Sequence, residues 1–172
     1  MNDERRNPAA GPRASDGVSS LLASFAVSDS FYALDASTVQ EVIRVPSLTR
    51  VPHAPPSVLG IINLRGRIVT VLDAAIVLGH EKSALGRDSR IFVVEDRGEF
   101  IGLLVDRVAD VIEYDPSAAN AVPANVPREQ ACFYRGIHLV NGRAIALLNA
   151  EQMLSAALAG VAVQQPTTRA AA

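Results

Sequence analysis

Two stretches of the chain repeat one order of features: an apolar run, a glycine turn, a second apolar run, an Asp or Asn, and a helix-forming segment. Matched residues in these stretches, such as Gly60 and Gly136, lie 76 positions apart. An earlier block, with Glu41 and Asp110 as one matched pair, repeats at an offset of 69. Such a repeat predicts two similar structural units. Because each unit of about 60–70 residues is near the lower size for a stable core, we expect them to pack together.

The repeated segments read as β-strands. Short runs rich in Val, Ile, Leu and Phe recur between turn signals, and Asn141-Gly142 is among the strongest short-range hairpin signals. Arg65-Gly66-Arg67 predicts a second tight turn, in which the glycine takes positive φ. The spacing is typical of an all-β barrel or sandwich. The predicted strands are residues 21–27, 31–34, 41–45, 60–65, 67–72, 90–95, 99–105, 108–114, 132–140 and 143–148.

Helical patterns are few. One turn is predicted at 37–40, and two longer segments, 73–78 and 149–158, begin with Asp and Asn, which are suitable N-caps. In the second segment the apolar residues fall on one face at helical spacing, which predicts a C-terminal helix docked on the core. These residues are Met153, Leu154, Ala157 and Leu158.

Composition limits the class of protein. The chain has 172 residues, 49% of them apolar, and a formal net charge of −2. This fits one globular domain and opposes nucleic-acid binding, for which a basic surplus is usual. Residues 1–19 and 159–172 lack apolar periodicity, so we expect a disordered N-terminal tail, a domain over 20–158 and a flexible C-terminal tail. The N-terminus has no signal-like apolar run and no segment approaches a membrane span, so we expect a cytoplasmic protein without membrane insertion.

No residue pattern points to catalysis. His53, His80 and His138 have no metal-ligand spacing, and Cys132 stands alone and reads as a small buried apolar residue. Nucleophile and phosphate-binding motifs are absent from the sequence. We therefore expect no catalytic residues, no metal and no cofactor, and we favour an interaction protein over an enzyme or a ligand sensor with a cleft between the two units.

Three polar residues stand in apolar surroundings. Glu41 lies among Val and Ile residues, and Asn63 and Arg65 lie in the run GIINLRG that begins at Gly60. An arginine at a strand end can bind a carboxylate with two hydrogen bonds. Two interpretations remain open: a surface ion pair that contributes about 0–1 kcal/mol, or a partly buried pair that shapes a groove.

These residues carry a resemblance to a known family. The runs VQEV from Val39, VPHAP from Val51, GIINLRG from Gly60 and GLLVDRV from Gly102 are similar to those of the CheW family of chemotaxis coupling proteins. The order and spacing match from about residue 21 to 158. The resemblance implies a fold of two small SH3-like five-stranded β-barrels packed side by side, with short helices.

The resemblance also implies a function and two partners. CheW proteins are non-catalytic adaptors that couple methyl-accepting chemoreceptors to a CheA-type histidine kinase. One surface binds the regulatory domain of the kinase, and a groove between the subdomains takes the cytoplasmic tip of the receptor. The strand around 67–71 and the second barrel are candidate kinase-facing surfaces. The alternative is an adaptor of a parallel pathway that controls pili, surface motility or a second messenger.

The same resemblance assigns a receptor groove. It implies that Glu41 and Arg65 form a charged pair beside the groove, while three further residues line or shape it and Gly66 holds the turn. Asn63 belongs to the same motif. The three lining or shaping residues are Val39, Ile43 and Gly60.

Overall fold

The computed structural model describes residues 19–124 and 126–160. The two predicted tails fall almost wholly outside these residues, so the division at 20–158 stays a prediction. The elements, in chain order, are β1 Ser20–Val27, β2 Ser30–Asp35, β3 Val39–Arg44, β4 Val58–Leu64, β5 Arg67–Asp73, α1 Ala74–Val77, β6 Arg90–Asp96, β7 Glu99–Val105, β8 Arg107–Tyr114, α2 Arg128–Ala131, β9 Tyr134–Val140, β10 Arg143–Leu148 and α3 Ala150–Leu158. Short 3-10 turns occupy Ala36–Thr38 and Pro116–Ala118.

The ten strands form two five-stranded sheets, each curled into a small barrel. One sheet has the order β3-β6-β7-β5-β4 and uses five consecutive strands; we name it the central barrel. The other has the order β8-β1-β2-β10-β9 and uses the strands on either side; we name it the flanking barrel. The predicted all-β fold with two SH3-like subdomains is confirmed.

The two sequence repeats and the two barrels are different units. Each barrel takes the first two strands of one repeat and the last three strands of the other. Parallel pairs join the halves: β5 pairs with β7, and β2 pairs with β10. The expectation that each repeat forms its own β unit is therefore wrong. The apolar pattern of a strand is local in the sequence, whereas strand pairing joins distant segments. The repeat therefore indicates two similar halves but not that the halves exchange strands.

The turns follow the predicted chemistry. The β4–β5 turn has φ of 52° at Arg65 and 84° at Gly66, and the β9–β10 turn has φ of 51° at Asn141 and 75° at Gly142. Positive φ at both central positions is the feature of type I′ hairpins, whose twist suits the flanking strands. Arg65 thus shares the left-handed conformation that the sequence assigned to its glycine neighbour alone.

The largest apolar cluster joins the two barrels. Phe25 of the flanking barrel and Phe92 of the central barrel are fully buried, with ring centroids 5.1 Å apart. α3 buries Met153, Leu154 and Ala157 in this cluster, as predicted for a docked C-terminal helix. Leu158, expected on the same face, is 38% exposed because it is the last residue of the helix.

Polar contacts also cross between the barrels. The Tyr32 hydroxyl and the His80 Nε2 atom are 2.6 Å apart. The Ser57 hydroxyl donates to the Ala157 carbonyl oxygen at 3.1 Å. Arg97, in the β6–β7 turn, pairs with Glu151 of α3. The last two contacts hold α3 against the central barrel.

One local prediction fails at the start of β9. The strand predicted from residue 132 begins at Tyr134, because residues 128–131 form the short helix α2. The Gln130 and Ala131 amides donate to the Pro127 carbonyl oxygen, so the chain is still turning there. Cys132 follows this helix and is exposed, not buried as expected.

Candidate partner-binding site

β3 places three of the predicted site residues. Val39, Glu41 and Ile43 are half-buried and alternate with exposed neighbours, as expected for a strand with one wet face. The pairing of β3 with β6 shifts its register between Val39 and Glu41, so Val39 lies on one side of the shift and Glu41 and Ile43 lie on the other. Val39 packs against the cluster that joins the barrels, whereas Ile43 packs inside the central barrel. The two apolar side chains therefore support the strand on either side of Glu41.

The β4–β5 turn brings Arg65 to Glu41. An Arg65 guanidinium nitrogen donates to Glu41 Oε2 at 3.0 Å. The Arg65 side chain is 80% exposed and that of Glu41 is 26% exposed. For Arg65 the interpretation as a surface ion pair therefore holds. We expect the pair to contribute about 0–1 kcal/mol to stability. The pair presents charge at the surface and does little to hold the fold.

Asn63 and Gly66 shape the turn that carries Arg65. Asn63 Oδ1 accepts a hydrogen bond from the Gly66 amide at 2.8 Å. A Cβ on Gly66 would meet no atom within 4 Å, so its role is the positive φ alone. Asn63 is exposed, and its described hydrogen bond is within the turn. Both residues thus position Arg65.

Gly60 is buried on β4 and lies against the β3–β4 connection, outside the lining of the cavity beside the charged pair. A Cβ at this position would lie 2.5 Å from the Thr49 carbonyl oxygen. Thr49 and Ile61 form an isolated bridge, with N···O distances of 2.9 and 2.8 Å. Gly60 therefore allows the β3–β4 connection to lie directly on β4.

The charged pair borders a cavity of about 290 Å³, which we name the central mouth. The Arg67 guanidinium lies 4.5 Å from the centroid of the Phe100 ring, in cation–π contact. Gln40 donates to Glu95 at 3.3 Å beside it. Arg67 and Phe100 are not among the site residues predicted from the sequence. The lining residues are Gln40, Glu41, Leu64, Arg65, Arg67, Val69, Val93 and Phe100.

The flanking barrel has a smaller cavity of about 120 Å³ at the matching place, which we name the flanking mouth. Phe31 lies there under Arg143, at 4.3 Å, and Arg107, at 5.2 Å. The Ser24 hydroxyl donates to the Asp110 carbonyl oxygen at 2.6 Å and accepts from the Asp110 amide at 3.0 Å. The other lining residues are Ala109, Ile112, Val140, Asn141 and Ile145.

Two phenols border a third, mainly apolar cavity of about 480 Å³ on the flanking barrel. Burial raises the pKa of Tyr134 to about 12, with a smaller contribution from Tyr32. Burial also raises the pKa of Tyr32, against a lowering hydrogen bond with Ser30. Both side chains therefore stay neutral well above neutral pH.

Two general features can be stated for the part of the chain that the structure describes. None of its helices has the length and apolar content needed to cross a membrane. Its His, Cys, Asp and Glu side chains form no group of three or more that could hold a metal ion.

Comparison with known proteins gives a consistent result. The family model of the CheW-like domain matches residues 22–158. The probable chemotaxis protein CheW of Rhizobium etli is 30% identical over 134 residues, which cover 78% of this chain and 86% of that protein. Protein PilI of Pseudomonas aeruginosa is 36% identical over 84 residues, covering 49% of this chain and 47% of PilI. The crystal structure of the scaffolding protein TtCheW from Thermoanaerobacter tengcongensis has a TM-score of 0.72 and 30% identity, and covers 88% of this chain and 93% of that chain.

Proposed function

The chain belongs to the CheW-like domain family, and from that membership we propose that it is a non-catalytic adaptor that couples methyl-accepting chemoreceptors to a CheA-type histidine kinase. The observation that carries the proposal is the Arg65–Glu41 pair at the central mouth, formed by the motif residues on which the resemblance rests. In this role the protein works in the cytoplasm, beneath the receptor array. It needs no cofactor and no metal.

The central mouth offers a receptor tip both charge and apolar surface. Arg65 projects into solvent, so a partner can reach its guanidinium without first opening the fold. Val39, two residues before Glu41 on β3, is half-buried and supplies apolar contact. A helical hairpin that lays an apolar stripe along β3 would place its own polar residues beside Arg65 and Glu41. The seven motif residues would then line, shape or position this groove.

The regulatory domain of the kinase would bind at one of two candidate surfaces, β5 of the central barrel or the flanking barrel. Ile68 on β5 is 61% exposed, and Val111 and Leu139 on the flanking barrel are 66% and 60% exposed. Exposed apolar side chains on strands suit a reversible barrel-to-barrel contact. A kinase domain on the flanking barrel would leave the central mouth open to the receptor, so both partners would bind at the same time.

The alternative is an adaptor of a pathway other than swimming chemotaxis, such as one that controls pili, surface motility or a second messenger. The observation that favours it is the similarity of half the chain to protein PilI. The same coupling mechanism would apply, with different receptors and a different kinase. Comparing the affinity of the chain for a kinase of each kind of pathway distinguishes these alternatives.

Charge reversal at Arg65 tests the receptor groove. We expect Arg65→Glu to weaken receptor-dependent kinase activation about tenfold or more, because it places a carboxylate against Glu41 and removes a charged hydrogen-bond donor from the surface. The measurement is phosphotransfer by the reconstituted receptor, kinase and adaptor. Arg87→Glu, an equal charge change on an exposed loop away from the mouth, is the matched control.

Two further results decide the interpretation. Calorimetric titration with the kinase regulatory domain should give the same one-to-one binding for wild type and Arg65→Glu, since the variant leaves the fold intact. Adding Glu41→Arg restores the opposite charges and should recover part of the coupling. Full coupling by Arg65→Glu alone would show that the groove assignment is wrong.

A further inference from the structure

A cavity of about 560 Å³ lies apart from both mouths, between the 48–59 connection and the loop after α1. Its floor is aliphatic and reaches the interior of the central barrel at Leu104, which is 1% exposed. Leu48, Val58 and Leu59 continue this apolar lining. The volume lies in the range of small-molecule sites. The exposed lining is more polar than apolar, because polar groups surround the aliphatic floor.

The rim of this cavity is basic. Arg50, His53 and Lys82 line it, and none of the described residues that line it is acidic. Lys82 is the single lysine of the chain, whose net charge is −2, so this grouping departs from the average surface. Within the described residues, the ion pairs are Arg65–Glu41 and Arg97–Glu151, and neither involves this rim.

A buried hydroxyl lies between the rim and the floor. Ser83 Oγ has no hydrogen-bond partner among the described residues and is inaccessible to solvent. Burying a hydroxyl without a hydrogen-bond partner is unfavourable. The Ser83 amide is held at 3.1 Å by Asp73 Oδ2, and Asp73 Oδ1 accepts from the Ala75 amide at 3.0 Å. The Asp73 carboxylate is thus occupied by backbone donors, and it fixes Ser83 at the cavity wall.

The opposite wall is also held in place. Thr49, the residue before Arg50, forms a β-bridge with Ile61 of β4. His53 has φ of 60°, an uncommon left-handed conformation for a residue with a side chain. The turns from Val51 to Ala54 and from Pro55 to Val58 are closed by backbone hydrogen bonds of 3.4 and 2.9 Å. The basic side chains therefore project from fixed backbone.

We propose that this cavity binds an aliphatic anion: a small molecule with one phosphate or carboxylate group and an unbranched apolar body. Arg50 and Lys82 donate to the anion, the Ser83 hydroxyl turns toward the cavity to donate as well, and the leucine-lined floor takes the apolar body. The lining has no Phe, Tyr or Trp, so a stacked base or ring is disfavoured. The site goes beyond the proposed coupling function, since it shares no residue with the central mouth.

The test is calorimetric titration of the full chain with octyl phosphate and with octanoate, below their micelle concentrations. We expect saturable one-to-one binding of at least one of them, with octanol and inorganic phosphate each binding about tenfold more weakly because each supplies half of the contacts. Arg50→Gln and Lys82→Gln should each weaken binding about tenfold, as expected for loss of a charged hydrogen bond. Arg135→Gln, an exposed arginine on the flanking barrel, should have no effect.

Amide NMR of the wild-type chain gives a result that does not depend on any variant. Octyl phosphate should shift the signals of residues 48–59 and 82–85 and leave those of the flanking mouth unchanged. Shifts elsewhere, equal binding of octanol, or unchanged binding after Arg50→Gln and Lys82→Gln would each overturn the proposal. Binding only to vesicles that contain phosphatidylglycerol, without binding of the monomeric amphiphiles, would also overturn it.

Discussion

The central and flanking mouths are built from matching strand positions, with Phe100 under Arg67 in one and Phe31 under Arg143 in the other. At the tip of the turn they differ. The central mouth has Arg65, paired with Glu41, whereas the flanking mouth has Asn141 at the same place beside Asp110.

The difference distinguishes the residues that the fold requires from those that a partner could recognise. Both turns have φ near 50° at this position, so the backbone accepts either residue. The stacked arginine and phenylalanine occur in both mouths and belong to the shared architecture. The ion pair occurs in one mouth, contributes little to stability, and is therefore a candidate for recognition.

The largest expected effect comes from the two buried glycines that match each other. Gly60→Ala should lower the free energy of unfolding by about 3 kcal/mol, at the upper end for a strained backbone, since its Cβ would lie 2.5 Å from the Thr49 carbonyl oxygen. Gly136→Ala should cost somewhat less, because the matching distance to the Asn120 carbonyl oxygen is 2.8 Å. Urea denaturation measures both. Equal stability of Gly60→Ala and wild type would contradict the close approach.

A loss of stability at alkaline pH should originate in the flanking barrel. Tyr134 stands there at the position that Val58 occupies in the central barrel. The pKa of Tyr134 is raised to about 12, from 10 in the unfolded chain. The folded state therefore keeps a proton that the unfolded state loses. Stability is unaffected below pH 10 and falls as pH rises from 10 to 12.

Thermal unfolding at pH 9 and pH 11 measures this effect. The decrease in stability between these pH values should be smaller in Tyr134→Phe than in wild type. Tyr114→Phe is the control, because it removes a different phenol of the same barrel. An equal decrease in wild type and Tyr134→Phe would show that other groups cause the alkaline loss.

The smallest effect on stability should come from exchanging the two turn tips. Arg65→Asn and Asn141→Arg should each change the free energy of unfolding by less than about 1 kcal/mol, as for exposed ion pairs. The partner-dependent effect should be larger: Arg65→Asn loses receptor coupling while Asn141→Arg keeps it. Denaturation and reconstituted kinase activity, measured on the same two proteins, make the comparison. A loss of coupling in Asn141→Arg alone would reverse the roles of the two mouths.

Much of the local structure could be predicted from sequence. Ten strands were placed within a few residues, because alternating apolar residues and Asn-Gly or Arg-Gly turns are local signals. The Asp73 and Asn149 caps also start helices as expected. The motif resemblance placed Glu41 and Arg65 together, although they are 24 residues apart in the chain.

The remaining features depend on contacts between distant segments. The exchange of strands between the repeats cannot be read from either repeat, because identical patterns allow pairing within or between them. Arg67 and Phe100 meet through the parallel pairing of β5 with β7. The basic cavity joins Arg50 to Lys82 through the position of the loop after α1, for which the sequence has no periodic signal.

The strand exchange has a consequence for synthesis of the chain. All five strands of the central barrel lie between Val39 and Val105, so their pairing partners emerge from the ribosome in one continuous stretch. β1 and β2 are made first, yet β1 needs β8 and β2 needs β10. At about 5–20 residues per second, the N-terminal hairpin waits several seconds for its partners. During that time its apolar face depends on the growing chain, or on chaperones, for protection.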